Sequence, residues 1–361
     1  MNDTVECVEV MRADLRVTRL VGDDLPDLEP GQLLLRVDRF GLTANNVTYG
    51  VAGDMIGYWR FFPTADPAWG RLPVWGFAEV VAGDVDGCPL GTRLFGYLPM
   101  ASHLVVEPGH VGPTGFTDRS AHRADLPGTY NRYRRTDSDP AYRPDTEEQQ
   151  AIFVPLFVTS FVLDDYLADR ADFGAERVLV SSASSKTAAG MALCTSRRDG
   201  DRPVLVGLTS PGNVEFVEQL GWYDQVVTYD EVDSLEAVPT VFVDIAGDAA
   251  VRAAVHRHLG DQLRASLTVG MTHWEAGGGG GDLPGPAPEF FFAPTQIEKR
   301  IADWGPAGYQ ERFGAAWEAL LEVADGWIDV VPIDGLAAVP AHYARLLDGS
   351  VRPEHAFIVT P

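Results

Sequence analysis

The stretch VLVSSASSKTAAGMA, residues 178–192, decides the fold. Its apolar opening reads as a strand, and TAAGMA with the residues after it reads as a helix. Between them every residue is small except Lys186. A strand that turns tightly into a helix leaves the first helical N–H groups pointing outward, and the helix dipole favours an anion there. Small side chains let a phosphate approach. Dinucleotide-binding folds put glycines at such a turn. Here Ser182, Ser185 and Ala188 stand at a three-residue spacing instead. The stretch is either a cofactor loop built without glycine or a loop of that shape that has lost its cofactor.

Downstream the pattern is regular. Strands are expected at 177–184 (RVLVSSAS), 203–210 (PVLVGLTS), 225–230 (QVVTYD), 240–247 (TVFVDIAG), 263–271 (LRASLTVGM) and 288–294 (PEFFFAP). Helices are expected at 187–198, 213–221 and 249–260, and QQAIFVPLFVTSFVLDDYLAD (149–169) carries helical apolar spacing ahead of them. The strands are continuous apolar runs, as strands covered on both faces are. Their alternation with helices predicts a doubly wound parallel sheet.

Upstream, residues 1–130 alternate short strands with Gly and Pro breaks, as in QLLLRVDRFGLT (32–43), LPVWGFAEVVAGDVDG (72–87) and GTRLFGYLPMASHLVVEP (91–108). The polar, Tyr- and Arg-rich segment 117–148 reads as a long loop or linker. After an amphipathic helix at 309–326, WIDVVPIDG and EHAFIVTP read as strands that return to the first domain. The fold class is therefore α/β. A β-rich, barrel-type domain spans 1–150 and is completed by 327–361, and a Rossmann-like domain spans 151–326. Two domains suit 361 residues.

The 52 acidic residues outnumber 28 basic ones, for a net charge of -24. Such a surface repels nucleic acid and anionic membranes, so neither is expected as a partner. Three widely spaced cysteines, Cys7, Cys88 and Cys194, form no metal-ligand pattern and suit a reducing, cytoplasmic setting. MNDTVECVEVMRADLRV has no apolar core of a signal peptide, and no run approaches ~18 apolar residues, so no membrane span is expected.

Several phrases carry a resemblance. LLLRVDRFGLTANNVTYGVAGD, PVWGFAEVVAG with DGCPLGTRLFGY, PLFVTSFVLDDYL and VDIAGDAAVRAAVHRHL succeed one another in the order of the medium-chain dehydrogenase/reductase superfamily. The chain resembles its zinc-free, quinone-oxidoreductase-like side nearly end to end. The resemblance implies a GroES-like barrel domain with an inserted Rossmann domain. More narrowly, YWRFFP (58–63), PVWGF (73–77), YNRY (130–133), SSASSKTA (181–188), GLTSPGN (207–213) and THWE (272–275) resemble a bacterial and fungal family known only as a domain of unknown function. That family supplies no reaction, so function must come from the residues.

In the loop, Ser182 is small enough for close approach, the hydroxyls of Ser184, Ser185 and Thr187 suit phosphate oxygens, and Lys186 adds a positive charge. The second strand ends in Thr209 and Ser210, with Asn213 beyond, and carries no acid to bond a ribose 2′-hydroxyl. NADP(H) is therefore expected over NAD. The zinc members of the superfamily need a cysteine and a His–Glu pair. The matching places here hold Asn45, Asn46 and Trp75–Gly76–Phe77, so a metal-free centre is expected. His256 and His258, two apart on a helix, face different ways and are not read as ligands.

A metal-free reductase must steady a developing enolate or alkoxide and supply a proton. GLTANNVTYG is similar to the loop of the zinc-free reductases, which implies that Asn46 orients a carbonyl and Tyr49 holds or protonates it, with Asn45 beside them; His273, after an expected core strand at the carboxyl end of the sheet, is the other candidate proton donor. The alternative for the loop is an Asn-rich turn with a buried tyrosine. Tyr58 and Trp59 are candidate walls of an apolar substrate pocket or plain core, and Arg60 a partner for a substrate carboxylate. Trp274 and Glu275 flank His273 ahead of Gly277–Gly281, a lid hinge or a surface loop. His122, Arg123, Tyr130 and Tyr133 either face substrate or pair with the acids of their own segment.

The expected activity is NADPH-dependent reduction of an enone, quinone or ketone. Its partner is a small carbonyl-type molecule, and the superfamily implies a homodimer. The alternatives are a non-catalytic NADPH-binding or sensor protein, and a non-redox enzyme reusing the interdomain cleft with His273 and Glu275 as acid and base.

Overall fold

The computed structural model describes residues 4–139, 142–269 and 283–361. The chain divides into two units, one of Met1–Val154 with Asp329–Pro361 and one of Pro155–Ile328.

The first unit holds β1 (Thr4–Met11), β2 (Asp14–Asp24), β3 (Leu33–Leu42), β4 (Trp69–Gly70), β5 (Pro73–Gly83), β6 (Arg93–Pro99), β7 (His103–Val106), β8 (Pro108–Gly112), β9 (Gly115–Asp118) and β10 (Arg132–Arg135). After the second unit the chain returns to it as β17 (Asp329–Asp334) and β18 (His355–Thr360). One sheet runs β2-β1-β4. The other runs β17-β18-β3-β5-β6-β10-β9-β8, with β7 on β3. The β3–β5 ladder slips register at Leu34/Leu35 and again at Val37/Arg39. Such bulges sharpen the local twist and bend a sheet. The unit also holds the α-helices α1 (Ala44–Val51), α2 (Gly53–Ile56) and α8 (Val339–Leu347).

Within segment 117–148, read as a long loop or linker, residues 117–118 and 132–135 belong to this unit's sheet. Residues 132–135 form β10, paired with β6 and β9. Tyr133 is wholly buried there, with its ring over Gly96, where a Cβ would lie 2.5 Å from the ring. The strand is four residues long and three of them are arginine, so its period-two signal is faint.

The helix α3 (Glu147–Asp169) carries the chain into the second unit. By length and composition alone the stretch Pro144–Asp169 is apolar enough to cross a membrane, at a mean hydropathy of 1.6. Polar residues interrupt every strict apolar run, so counting runs does not find it. In the fold 61% of that window is buried.

The second unit has β11 (Arg177–Val180), β12 (Val204–Thr209), β13 (Gln225–Thr228), β14 (Thr240–Asp244), β15 (Leu263–Thr268) and β16 (Glu289–Phe290). All pair in parallel in the order β13-β12-β11-β14-β15-β16. The helices are α4 (Lys186–Ser196), α5 (Val214–Leu220), α6 (Ala249–Leu259) and α7 (Ala293–Ala324). Alternation along β11 sorts two cores. Val178 and Val180 pack with Leu163 and Leu167 of α3 and Met191 of α4. Leu179 packs with Val255 and Leu259 of α6. Both faces of the sheet are thus covered, which is why its strands read as unbroken apolar runs. Only the second part of α7 is legible in the sequence, because Gly305 (φ +73°) and Pro306 interrupt its periodicity.

Candidate active site

The strand order reverses between β11 and β14, so the loops after these two strands flank the crevice where open α/β sheets bind ligands. The loop after β11 is Ser181–Ser185. Ser181 Oγ donates to Asp244 Oδ1 at 2.9 Å and accepts from the N–H groups of Ile245 and Ala246 at 3.0 Å each. Asp244 also accepts from Gly247 N and Arg252 Nη1, both at 2.9 Å. Burial raises the pKa of this carboxyl, against the pull of those donors. One serine thus fastens the two switch-point loops together.

Ser182 takes a left-handed backbone, φ +54°, a place that favours glycine. Its N–H donates to the Tyr229 hydroxyl at 3.0 Å. Ser185 caps α4, accepting from Ala188 N at 3.3 Å. Asn213 Nδ2 donates to Ser184 Oγ at 3.1 Å, which joins the loop after β12 to the loop after β11. Ser184, Ser185, Lys186 and Thr187 are half-buried, and so are Ser210 and Asn213; Thr209 is buried in its strand.

The close approaches that glycines give such a loop lie elsewhere in this chain. A Cβ on Gly207 would sit 2.8 Å from the Ala183 Cβ, and one on Gly190 would sit 2.8 Å from Ser160 Oγ. Sequence reasoning missed Ser181, Tyr223 and Tyr229. The tyrosines of GWYDQVVTYD were the available signal, since Tyr223 donates to Ala183 O at 3.1 Å as Tyr229 accepts from Ser182.

In the first unit, Thr43 and Asn46 form a reciprocal capping box that starts α1. Asn46 Oδ1 accepts from Thr43 N at 2.7 Å, and its Nδ2 donates to Pro73 O at 2.8 Å. Its amide, 3% exposed, is spent on the fold. Asn45 is the half-buried neighbour, and its side chain bonds Tyr49. Tyr49 accepts from Trp75 Nε1 at 3.0 Å. Around it lie Tyr58 at 4.6 Å and Tyr97 at 5.5 Å between ring centroids, and Tyr130 stands 4.8 Å from Tyr97. The hydroxyls of Tyr58 and Tyr130 are 3.2 Å apart. Tyr49, Tyr58 and Tyr97 are buried; Asn45, Trp75 and Tyr130 are half-buried.

Burial raises the pKa of Tyr49, Tyr58 and Tyr97, and neighbouring tyrosines add to it. These phenols stay protonated at neutral pH and are hydrogen-bond donors. Trp75 and Tyr97 are the members that sequence reasoning did not single out. PVWGF and GYLP are alternating strands, and ring-on-ring packing across β5 and β6 brings Trp75 against Tyr97 at 5.1 Å.

Other expected site residues fall elsewhere. Trp59 is 2% exposed, and its ring lies where Cβ atoms on Gly53 and Gly70 would be, 2.0 and 2.3 Å away. It is a core wedge. Arg60 is paired with Asp125 on the surface. Arg123 is buried against Asp118 at 3.2 Å, so it pairs with an acid of its own segment. His256 bonds Pro284 O and Ser266 Oγ, both at 2.9 Å. His273, Trp274, Glu275 and Gly277–Gly281 lie outside the described residues. Among the described residues no group of three or more His, Cys, Asp or Glu is placed to hold a metal.

A family model described as protein of unknown function (DUF2855) matches residues 40–352. No curated protein matches the sequence. Solved structures match along the whole chain. CurA from Vibrio vulnificus in complex with NADPH has a TM-score of 0.62 at 13% identity, covering 98% of each chain. A putative NADPH:quinone reductase from Mesorhizobium loti has 0.60 at 14%, covering 100% of this chain and 99% of that one. A mutant enoyl thioester reductase from Candida tropicalis has 0.60 at 12%, covering 99% and 100%. The fold is that of the medium-chain reductases.

Proposed function

We propose that this chain, which belongs to the DUF2855 family, is an NADPH-dependent, metal-independent reductase of an enone, quinone or ketone. The observation that carries the reading is the loop Ser181–Ser185 at the topological switch point, opening α4 with half-buried hydroxyls. NADPH bound in the Vibrio vulnificus structure of the same fold supports it.

The residues fit a dinucleotide phosphate. Ser184, Ser185 and Thr187 present hydroxyls at the start of an eleven-residue helix, and Lys186 is its first residue. Such a terminus favours an anion. Thr209 ends the second strand, and Ser210 and Asn213 follow it, with no carboxylate among the three, which favours a 2′-phosphate over a bare ribose. When bound, the nicotinamide supplies a hydride.

The tyrosine group supplies the rest. Trp75 fixes the Tyr49 oxygen, so the phenol O–H is left to donate to a carbonyl oxygen and to hold charge that develops there. Asn45 steadies the same hydroxyl. Asn46 acts through the capping box, by setting the helix that carries Tyr49. The half-buried rings of Trp75 and Tyr130, 6.1 Å apart, suit a flat, conjugated substrate.

A second reading, a nucleotide-binding protein without turnover, draws on Ser182, whose N–H is already taken by Tyr229. Screening enones, quinones and ketones for substrate-dependent NADPH oxidation separates the two. Turnover that is lost in Tyr49→Phe supports the reductase. NADPH binding with no turnover on any of the three classes supports the sensor. A homodimer through the sheet edge at β16, where Phe290 is 52% exposed, belongs to the same proposal, and light scattering tests it.

A further inference from the structure

We infer that the first unit carries a second small-molecule site, a cavity of about 330 Å³ that takes a largely apolar molecule ending in an amine. The volume is on the order of ten waters of liquid, near the lower end for ligand clefts. Leu34, Phe61, Phe62, Pro99, Leu104 and Val105 form its apolar walls.

The charge in the lining is set by strand geometry. Val5 and Cys7, two apart on β1, point to one face, and both line the cavity. Asp23 of β2 stands directly opposite Val5, so its side chain shares that face. Its charge reaches Cys7 and adds to the rise of the thiol pKa to about 12, which burial dominates. Asp24 lies beside it at the exposed rim. Among the described residues neither aspartate has an ion pair. Arg71, the one Arg or Lys among the described residues of the lining, is held on the buried Glu9 at 3.3 Å, and Arg19 grips the same carboxylate at 2.7 Å.

The remaining polar groups are neutral. Burial lowers the pKa of His103, with Arg36 adding to it, and burial lowers that of His122, with Arg123 adding to it. His103 Nδ1 bonds Ser102 Oγ at 3.0 Å, and His122 Nε2 bonds Phe61 O at 3.1 Å. The protonated Cys7 is no nucleophile. Asp23, with Asp24 beside it at the rim, thus puts unpaired negative charge next to apolar walls. A cationic head complements it, and an anionic head is repelled.

The site has a route to the tyrosine group. Phe61 lines the cavity and packs edge-on to Tyr97 at 5.2 Å and to Tyr130 at 5.4 Å. An occupant therefore presses on a ring that supports the candidate active site. The cavity itself stands whether or not the chain is a reductase.

The test is calorimetric titration of the full chain, without nucleotide, with 4-phenylbutylamine, 4-phenylbutanol and 4-phenylbutanoate. The amine is expected to bind most tightly and the acid least. Asp23→Asn, an exposed change that leaves the fold intact, weakens the amine by about fivefold and leaves the alcohol unchanged. Leu104→Trp fills the cavity and abolishes both. No binding of the amine, an amine no tighter than the alcohol, or an amine indifferent to Asp23→Asn overturns the inference. Should Leu104→Trp fail to fold, the Asp23→Asn comparison decides it alone.

Discussion

The Trp75 indole N–H donates to the Tyr49 hydroxyl across 3.0 Å. The bond uses one lone pair of the phenol and leaves its proton for another acceptor. Tyr49→Phe keeps the ring and removes that proton. Turnover of any accepted enone, quinone or ketone is expected to fall roughly 10²–10⁴-fold, the range for a lost proton donor. NADPH affinity should hold, and stability should drop by about 1 kcal/mol for the indole left without its partner. Steady-state kinetics with a parallel urea melt checks all three.

The buried tyrosines also set a pH limit. Burial raises Tyr133 and Tyr229 to about 12, and Tyr49, Tyr58 and Tyr97 are raised as well. In the unfolded chain a tyrosine ionises near pH ~10. A pKa raised in the fold means the protonated phenol is the folded form. Its contribution is full below pH ~10 and is lost as pH rises toward 12. Ultraviolet titration should show these phenols ionising together with loss of structure. Independent ionisation near pH ~10 in a folded chain would contradict the burial.

Ser182 holds φ +54° in the turn between β11 and α4. A non-glycine residue there costs on the order of 1 kcal/mol. Ser182→Gly relieves that strain and should leave NADPH binding intact with stability within about 1 kcal/mol of the parent. Ser182→Val, β-branched, should lose more than about 1 kcal/mol. Equal stabilities for the two variants in thermal melts would contradict the strain.

Asp244 is fully buried and serves Ser181, Gly247 and Arg252 at once. Asp244→Ala leaves three donors without their acceptor and should cost about 3–5 kcal/mol. Denaturant unfolding reads the loss. A variant as stable as the parent would mean that the two loops are not joined through this carboxylate.

The fold was legible because its signals are long. Continuous apolar strands alternating with helices marked the second unit, and the order of weak motifs pointed to the two-unit fold. β10 was missed because four residues with three arginines carry no readable alternation. The loop was found by the small residues of SSASSKTA, but its fastening was not. Ser181 and Asp244 are 63 residues apart, and only the parallel pairing of β11 with β14 brings them together. Asn45 and Asn46 are adjacent and chemically alike, so sequence could not say which amide caps the helix and which meets Tyr49. Trp59 read as either a pocket wall or plain core, because the two glycines that make room for it in the core lie before and after it in the chain.

The most direct measurement is a calorimetric titration of the folded chain with NADPH and with NADH, repeated on Lys186→Ala. The account predicts tighter binding of NADPH than of NADH, weakened by the substitution, with the hydroxyls of Ser184, Ser185 and Thr187 meeting phosphate in a loop where Ser182, Ser185 and Ala188 stand in place of glycines. A folded sample that binds neither nucleotide would contradict it.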